Sequence, residues 1–442
     1  MSRKKVVILG AAGRDFHDFN TYFRGNEEYE VVAFTATQIM GIAGRTYPPA
    51  LAGKLYPKGI PIVEEKDLEK VAREAAVEEV FLSYSDLASE TVLGLAARAV
   101  ACGATFSCLG HAQTAVKSTK PVIAVTAVRT GCGKSQTTRY VMDVLREWGL
   151  KVVAIRHPMP YGDLEAQRVQ RFAVPADLDR HKCTIEEREE YGPHIEKGNV
   201  VYAGVDYEAI LREAEKEADV ILWDGGNNDT SFYATDLWIV VTDPFRAGNE
   251  LTHWPGRVNF IAADAILINK VNSAEAADVE RIVANAGRLN PRAVVVKGAS
   301  KVTTPGGESL RGKKVLLVDD GPTLTHGDMP FGAATIAARD IGVGEIVDPR
   351  PYAVGSIREV FRKFSHLGAV LPAMGYGDEQ VRELEQTIEA VPCDAVLSAT
   401  PIDLAAVVHT KKRIVRSFYA LEDMGSPTLR SVLEGKRSVF RK

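Results

Sequence analysis

The chain has 442 residues, and 54 Lys and Arg against 58 Asp and Glu give a formal net charge of −4. With 45% hydrophobic and 25% charged residues the composition is that of a globular protein, and the length exceeds one ordinary core, so two or three domains are expected. The charge balance gives no reason to expect nucleic acid or an anionic membrane as partner. Five cysteines (Cys102, Cys108, Cys132, Cys183 and Cys393), odd in number and without a CxxC pair, suggest neither a disulfide framework nor a zinc site. No apolar run reaches the length of a membrane span, and a cytoplasmic location is expected by default.

In chain order, Lys4 to Gly10 reads as a strand entering Gly10-Ala-Ala-Gly13-Arg14, a strand-to-helix turn of the Rossmann type. No complete GxGxxG is present, and the second strand ends at Thr35 without an acid for a ribose, so no nicotinamide cofactor is expected. The turn could instead hold a phosphorylated metabolite, with Arg14 supplying the charge. The Gly-, Pro- and Tyr-rich segment 37–61 reads as a substrate loop, and a polar joint near residue 118 closes a first domain, 1–118.

The organising stretch is PVIAVTAVRTGCGKSQTTRY, residues 121–140. A buried strand, Val122 to Ala127, runs into Thr130-Gly131-Cys132-Gly133-Lys134-Ser135, and Gln136 opens a helix. Backbone N–H groups of such a turn and the helix N-terminus make a phosphate cradle, with glycines allowing close approach. Lys134 is expected on the β- and γ-phosphates of ATP and the Ser135 hydroxyl on Mg²⁺. Val128 stands where the usual pattern has its first glycine, so the loop is a variant.

The strand Lys151 to Ile155 delivers Arg156-His157-Pro158-Met159-Pro160-Tyr161-Gly162-Asp163 to the same sheet edge, with His157 a candidate phosphate ligand and Asp163 a candidate Mg²⁺ contact. Arg180, His181 and Lys182 are candidates for an anionic substrate, whereas the acidic run Glu186 to Glu190 reads as a solvated face. ADVILW ends in Asp224, the expected Mg²⁺ residue, since Mg²⁺ takes carboxylate, phosphate and water oxygens. AILIN ends in Asn269-Lys270-Val271-Asn272, which is like a guanine-reading NKxD motif except for its last residue. An amide there cannot accept both hydrogen bonds from guanine, so adenine is at least as well suited, with Asn269 and Lys270 packing on the base. The second domain, 119–312, is therefore a parallel-sheet nucleotide domain.

A third α/β block, 313–442, opens with KKVLLVDD and a turn carrying Thr325 and His326, candidate substrate contacts; Gly375-Tyr376-Gly377 marks a further glycine loop. The fold expected is α/β throughout: a Rossmann-like N-terminal domain, a central P-loop NTPase domain and a C-terminal α/β domain.

The segments GAAGRDFHDFN, AVRTGCGKSQTTR, RHPMPYGDL, VILWDGGNNDT, DGPTLTHGDM and DPRPYAVGSI resemble the cyclic 2,3-diphosphoglycerate synthetase family, whose bacterial members are often labelled predicted GTPases. The phosphate loop is similar to that of dethiobiotin synthetase-like NTPases, relatives of which carry a signature lysine where this chain has Arg129. The resemblance implies an ATP- and Mg²⁺-dependent synthetase closing 2,3-bisphosphoglycerate, or a similar small phosphorylated acid, into a cyclic phosphoanhydride with release of ADP and phosphate. Lys134, Arg129, Arg156 and His157 would serve catalysis, and Arg14, Arg180, His181, Lys182, Thr325 and His326 the substrate. The family label also implies an alternative, a regulatory or metallochaperone-type GTPase with a protein partner. A homodimer is expected by analogy with other phosphate-loop enzymes.

Overall fold

The computed structural model describes residues 3–11, 13–37, 42–157, 162–226, 228–374 and 378–441. Residues 158–161 of the Arg156 loop and Gly375-Tyr376-Gly377 lie outside the described residues. Three mainly parallel sheets follow one another along the chain, of six, nine and five strands, each flanked by helices.

The nine-stranded central sheet runs, edge to edge, Gln170–Phe172, Val200–Ala203, Val152–Ile155, Val220–Trp223, Val122–Ala127, Leu237–Thr242, Ala265–Ile268, Val294–Thr303 and Phe418–Met424. Its inner strands are apolar without a break because helices cover both faces. Along Val122–Ala127 the side chains alternate between two cores: Ile123, Val125 and Ala127 join Val141 and Leu145 of the helix Lys134–Glu147, while Val122 and Ala124 join Ile210, Leu211 and Trp223. Burying each Val, Ile or Leu side chain among them stabilises the fold by about 1.5–3 kcal/mol. The phosphate-loop strand therefore lies mid-sheet, and the tips of its neighbours, Asp224 and Asp243, flank the turn.

The third block does not close on itself as the boundary 313–442 implies. Phe418–Met424 leaves the small sheet and pairs antiparallel with Val294–Thr303 of the central sheet over seven residues. The helix Leu429–Gly435 then packs near Lys134–Glu147, with Leu429 and Leu433 in the central core. Only tertiary pairing reveals this return, because an edge strand with one exposed face is the same local pattern in either sheet.

Three connections fix the first domain against the second. Leu87–Ala88 pairs antiparallel with His253–Trp254. Arg14 is buried, donating to the Thr230 carbonyl at 2.9 Å and Asp18 Oδ1 at 3.2 Å, with its guanidinium over the Phe232 ring at 4.8 Å. Gly13 has no side chain because His157 from the second domain occupies that space; a Cβ there would stand 1.4 Å from His157 Nε2. The turn read as an anion cradle is thus filled by protein, and Arg14 is a joint between domains instead of a substrate ligand.

Candidate active site

The turn after Val122–Ala127 bends through Gly131 (φ 81°) and Gly133 (φ 105°), left-handed conformations that favour glycine. Its carbonyls are held from outside. Asn269 Nδ2 donates to Cys132 O at 2.9 Å, Lys270 Nζ to Gly131 O at 2.7 Å, and Arg246 Nη1 to Thr130 O at 2.8 Å. Asp243 ties two of these cations together, at 2.8 Å from Lys270 and 2.9 Å from Arg246. Burial opposes its charge, but Lys270 and Arg246 hold its carboxyl below the usual range. With its carbonyls engaged from outside and helix Lys134–Glu147 beginning at Lys134, the turn is suited to a phosphate chain. Asn269 and Lys270, expected to pack on a base, brace the loop. Asn272 exchanges hydrogen bonds with the Ser300 backbone, at 3.0 and 3.4 Å, so the final residue of NKVN is engaged there as well.

Below the loop lies a chain of buried charges. Lys134 Nζ donates to the Asp224 and Gly225 carbonyls, the latter at 2.9 Å, and lies 3.1 Å from Asp224 Oδ1. Asp224, fully buried, also accepts from Thr138 Oγ1 at 2.5 Å, from Arg156 Nη1 at 2.5 Å and, on the same Oδ2, contacts His194 Nε2 at 3.0 Å. Burial alone would neutralise this acid; Arg156, Lys134 and His194 together hold its carboxyl well below the usual range. Arg156 in turn makes a forked pair with Glu190, at 2.7 and 3.2 Å. Burial, then the Arg156 charge, lowers the Lys134 pKa. An incoming polyphosphate would offer Lys134 and Arg156 a second set of anionic partners.

The residues present fit a nucleoside triphosphate: a glycine turn at a helix N-terminus, a buried lysine and the Ser135 hydroxyl all line one cleft. Among the described residues no cluster of three metal-ligating His, Cys, Asp or Glu side chains occurs. Mg²⁺ would accordingly rest on Ser135 and phosphate oxygens, because both Asp224 oxygens already carry donors. Asp163 does not line the cleft; it is exposed and caps a turn, accepting from the Glu165 and Ala166 N–H groups at 2.8 and 3.2 Å.

Arg129 departs furthest from its expected role. Its guanidinium is almost fully buried and binds Asp86 Oδ1 of the first domain at 3.0 Å, then Asn249 Oδ1 and His253 Nε2 of the second at 2.9 and 2.8 Å. It also binds the His326 carbonyl and Asp328 Oδ2 of the third block at 2.9 and 2.8 Å. It joins all three units and has no donor left for phosphate. Arg129→Lys, which keeps the charge but not the fork, is expected to lose on the order of 2–3 kcal/mol of stability, read by urea unfolding; an unchanged midpoint would contradict the assignment.

The other expected substrate residues are scattered. Arg180, at the end of the helix Pro175–Arg180, is exposed and pairs with Asp177 at 2.9 Å; Lys182 is exposed in a left-handed conformation after that helix; His181 sits edge-on to Phe172 with ring centres 5.0 Å apart. Thr325 is buried and donates to the Gly321 carbonyl at 2.8 Å, and His326 is exposed with its carbonyl on Arg129. His157 is buried beside Asp229, 3.7 Å from Oδ2. None of these six lines the cleft. Local sequence marks Arg180, His181, Lys182 and His157 by charge, and Thr325 and His326 by a hydroxyl and an imidazole after a strand.

The cleft lies between the phosphate loop and the third block. Thr323 closes on the loop, its methyl 2.9 Å from where a Cβ on Gly131 would be. Phe245 and Phe331 meet edge to face at 5.5 Å in an apolar corner with Met329 and Ile336. The same cleft is lined by Glu189 and Glu190 from the helix Ile185–Glu196 and by Asp319 and Asp320 from the strand Lys314–Asp320, with Glu190 already paired to Arg156. Glu189 and Glu190 correct the reading of their run as a solvated face. Beside them on the same helix Tyr191 and His194 are fully buried, so the helix turns this run inward. Asp243, Arg246, His194, Asp319 and Asp320 were not singled out as site residues, since each acquires its role from another strand tip.

This fold and site define a phosphate-loop α/β protein whose nucleotide cradle opens into a cleft shared with a second α/β unit. Over 432 residues the chain is 59% identical to the arginine synthetase ArcE of Thermococcus kodakarensis, covering 98% of this chain and 96% of that protein, and it belongs to the ArcE family. No family model matches the chain. Among solved structures it is similar to LpxK from Aquifex aeolicus in complex with ATP, at 14% identity over 74% of this chain and 90% of that one, TM-score 0.41. It is also similar to the hydrogenase maturation factor HypB from Archaeoglobus fulgidus, at 20% identity over 40% and 80% of the two chains, TM-score 0.27. Neither of these two likenesses is close enough to bear on function. Among the described residues no helix is long and apolar enough to cross a membrane.

Proposed function

We propose that the chain is an ATP-dependent synthetase that forms or breaks the guanidinium group of arginine. The observation that carries this reading is the set of acids Glu189, Asp319 and Asp320 lining the same cleft as the phosphate loop. A bisphosphate substrate would need cations there, and the basic residues expected to supply them stand elsewhere; a guanidinium or ammonium group is matched by carboxylates. The relative's name, arginine synthetase, agrees with that charge.

A synthetase that makes a guanidinium must activate an oxygen on the carbon that becomes its centre and replace it with nitrogen. The natural substrate is then the ureido counterpart of arginine, with ammonia as nucleophile and ATP supplying the phosphoryl group that leaves as phosphate. This chain would contribute position and charge. The loop N–H groups and Lys134 hold the phosphates, Arg156 neutralises the charge developing toward the substrate, and Asp224 keeps both cations aimed. The apolar corner of Phe245 and Phe331 receives the base, and because Asn272 is bound to Ser300, adenine is favoured over guanine. A homodimer remains part of the proposal by analogy only.

The test is nucleotide turnover with Mg²⁺, ATP against GTP, supplied either with citrulline and ammonium or with 2,3-bisphosphoglycerate. ATP cleavage that requires citrulline and ammonium and yields arginine is expected. Cleavage dependent on 2,3-bisphosphoglycerate, with a cyclic anhydride seen by phosphorus NMR, would replace this reading with the phosphoanhydride synthetase. GTP turnover indifferent to either substrate would favour the GTPase alternative.

A further inference from the structure

The strand Lys314–Asp320 ends inside the cleft with two consecutive carboxylates. Asp319 is 2% exposed; its Oδ1 accepts the Ala334 N–H at 3.0 Å, at the start of the nine-residue helix Ala333–Ile341, while its buried Oδ2 makes no well-formed hydrogen bond, the Gly332 and Ala333 N–H groups lying beside the carboxyl. Gly332 makes room for this carboxyl group, since a Cβ there would lie 2.5–2.7 Å from its atoms. Asp320 caps the short helix Gly321–Thr325 through one oxygen, Oδ2, which accepts from both the N–H and the hydroxyl of Thr323. Thr323 is the residue that lies against Gly131 of the phosphate loop.

Elsewhere in the cleft Lys134 and Arg156 are matched by Asp224 and Glu190. Among the described residues neither Asp319 nor Asp320 has an ion-pair partner. A cap explains one oxygen of each. It does not explain the buried Oδ2 of Asp319, an acceptor without a well-formed hydrogen bond in a residue that lines the cleft, which a ligand's N–H could satisfy. The carboxyl ends of parallel strands are also where open α/β sheets bind ligands.

We propose that Asp319 and Asp320 form the subsite for the protonated nitrogen of the small substrate, an amino or guanidinium group, so that the third block holds this substrate against the phosphate loop. This rests on the arginine-type reading above. It assigns division of labour: the central domain takes the nucleotide, and Asp319 Oδ2 accepts from the substrate's N–H. Burial already pushes the Asp319 pKa up to about 7, so a neutral amide in its place is compatible with the fold.

The experiment is calorimetric binding of arginine and, separately, of ATP to the full chain and to its Asp319→Asn and Asp320→Asn variants, with thermal melts as the check on folding. Expected is a loss of arginine affinity of tenfold or more in Asp319→Asn, a smaller loss in Asp320→Asn, and ATP affinity within twofold of the parent in both. If the parent binds arginine and both folded variants bind it equally well, the subsite is wrong while the synthetase reading stands. Parallel loss of arginine and ATP binding would reduce the pair to a structural role and overturn the proposal. If the parent binds 2,3-bisphosphoglycerate and not arginine, the functional reading falls and the subsite with it. Should Asp319→Asn not fold, Asp320→Asn decides by the same criteria.

Discussion

Lys134→Ala is expected to lower citrulline-dependent ATP cleavage by about a thousandfold, the scale seen when one preorganised electrostatic partner of a transition state is removed. Lys134 is the cation at the N-terminus of the phosphate-loop helix, and its amine rests on Asp224 and Gly225 beneath the cradle. The fold should survive the change, because Asp224 keeps Arg156, His194 and Thr138. Steady-state turnover with a melt on the same sample separates the two effects. Activity within tenfold of the parent would remove Lys134 from the site and with it the phosphate-cradle reading.

Asp224→Ala should act in the opposite sense, on stability first. It removes the carboxylate paired to Lys134 and to Arg156, which is 2% exposed, leaving Lys134 without its carboxylate and Arg156 with Glu190 alone. Breaking a buried pair in this way costs about 3–5 kcal/mol. The pH dependence has a definite sign. The Asp224 carboxyl is held well below its ordinary value in the fold, so its contribution is fully present above about pH 4, the unfolded value. It is lost as pH falls further, through the folded value. The stability gap between the parent and Asp224→Asn, measured by urea unfolding, should therefore be constant from pH 8 to pH 5 and narrow below pH 4. A gap that narrows between pH 8 and pH 6 would show that Asp224 is not held as a carboxylate by Arg156 and Lys134.

The parent's Asp319 runs the other way. Its folded pKa of about 7 lies above the unfolded value, so the folded state holds a proton that the unfolded state releases, and stability falls as pH rises toward 7. Asp319→Asn should gain stability relative to the parent at pH 8 and lose that advantage at pH 4.

Much of this was written in local sequence. Six β-branched or small apolar residues, Val122 to Ala127, can only be a strand covered on both faces, and the following glycines and Lys-Ser can only be a tight turn opening a helix. Those features depend on nearest neighbours and on backbone freedom at Gly131 and Gly133, so they are legible without a fold. The tip of ADVILW marked Asp224 for a similar reason: an acid ending a buried strand must meet a partner. What that partner is could not be read locally. Asp224 was expected to face Mg²⁺ and instead holds Lys134, Arg156 and His194, which arrive from three other elements.

Arg129, Arg14 and His157 mark the boundary between the two kinds of information. As charges beside glycines they suggest an anion, yet each is bound by acceptors from another part of the chain, Arg129 by groups from all three units. A charged side chain has no periodicity to betray its partner, and its role depends on which strand tips the sheet order brings together. The sequence by itself determined the α/β class, the phosphate loop and the strand that aims it, because these follow from short-range sterics and patterning. Only the folded chain brings Glu189, Asp319 and Asp320 into the cleft of the phosphate loop, sets Arg129 between the three units and returns the last strand to the central sheet, because Coulomb partners and edge pairings are set across distances in sequence that no local pattern encodes.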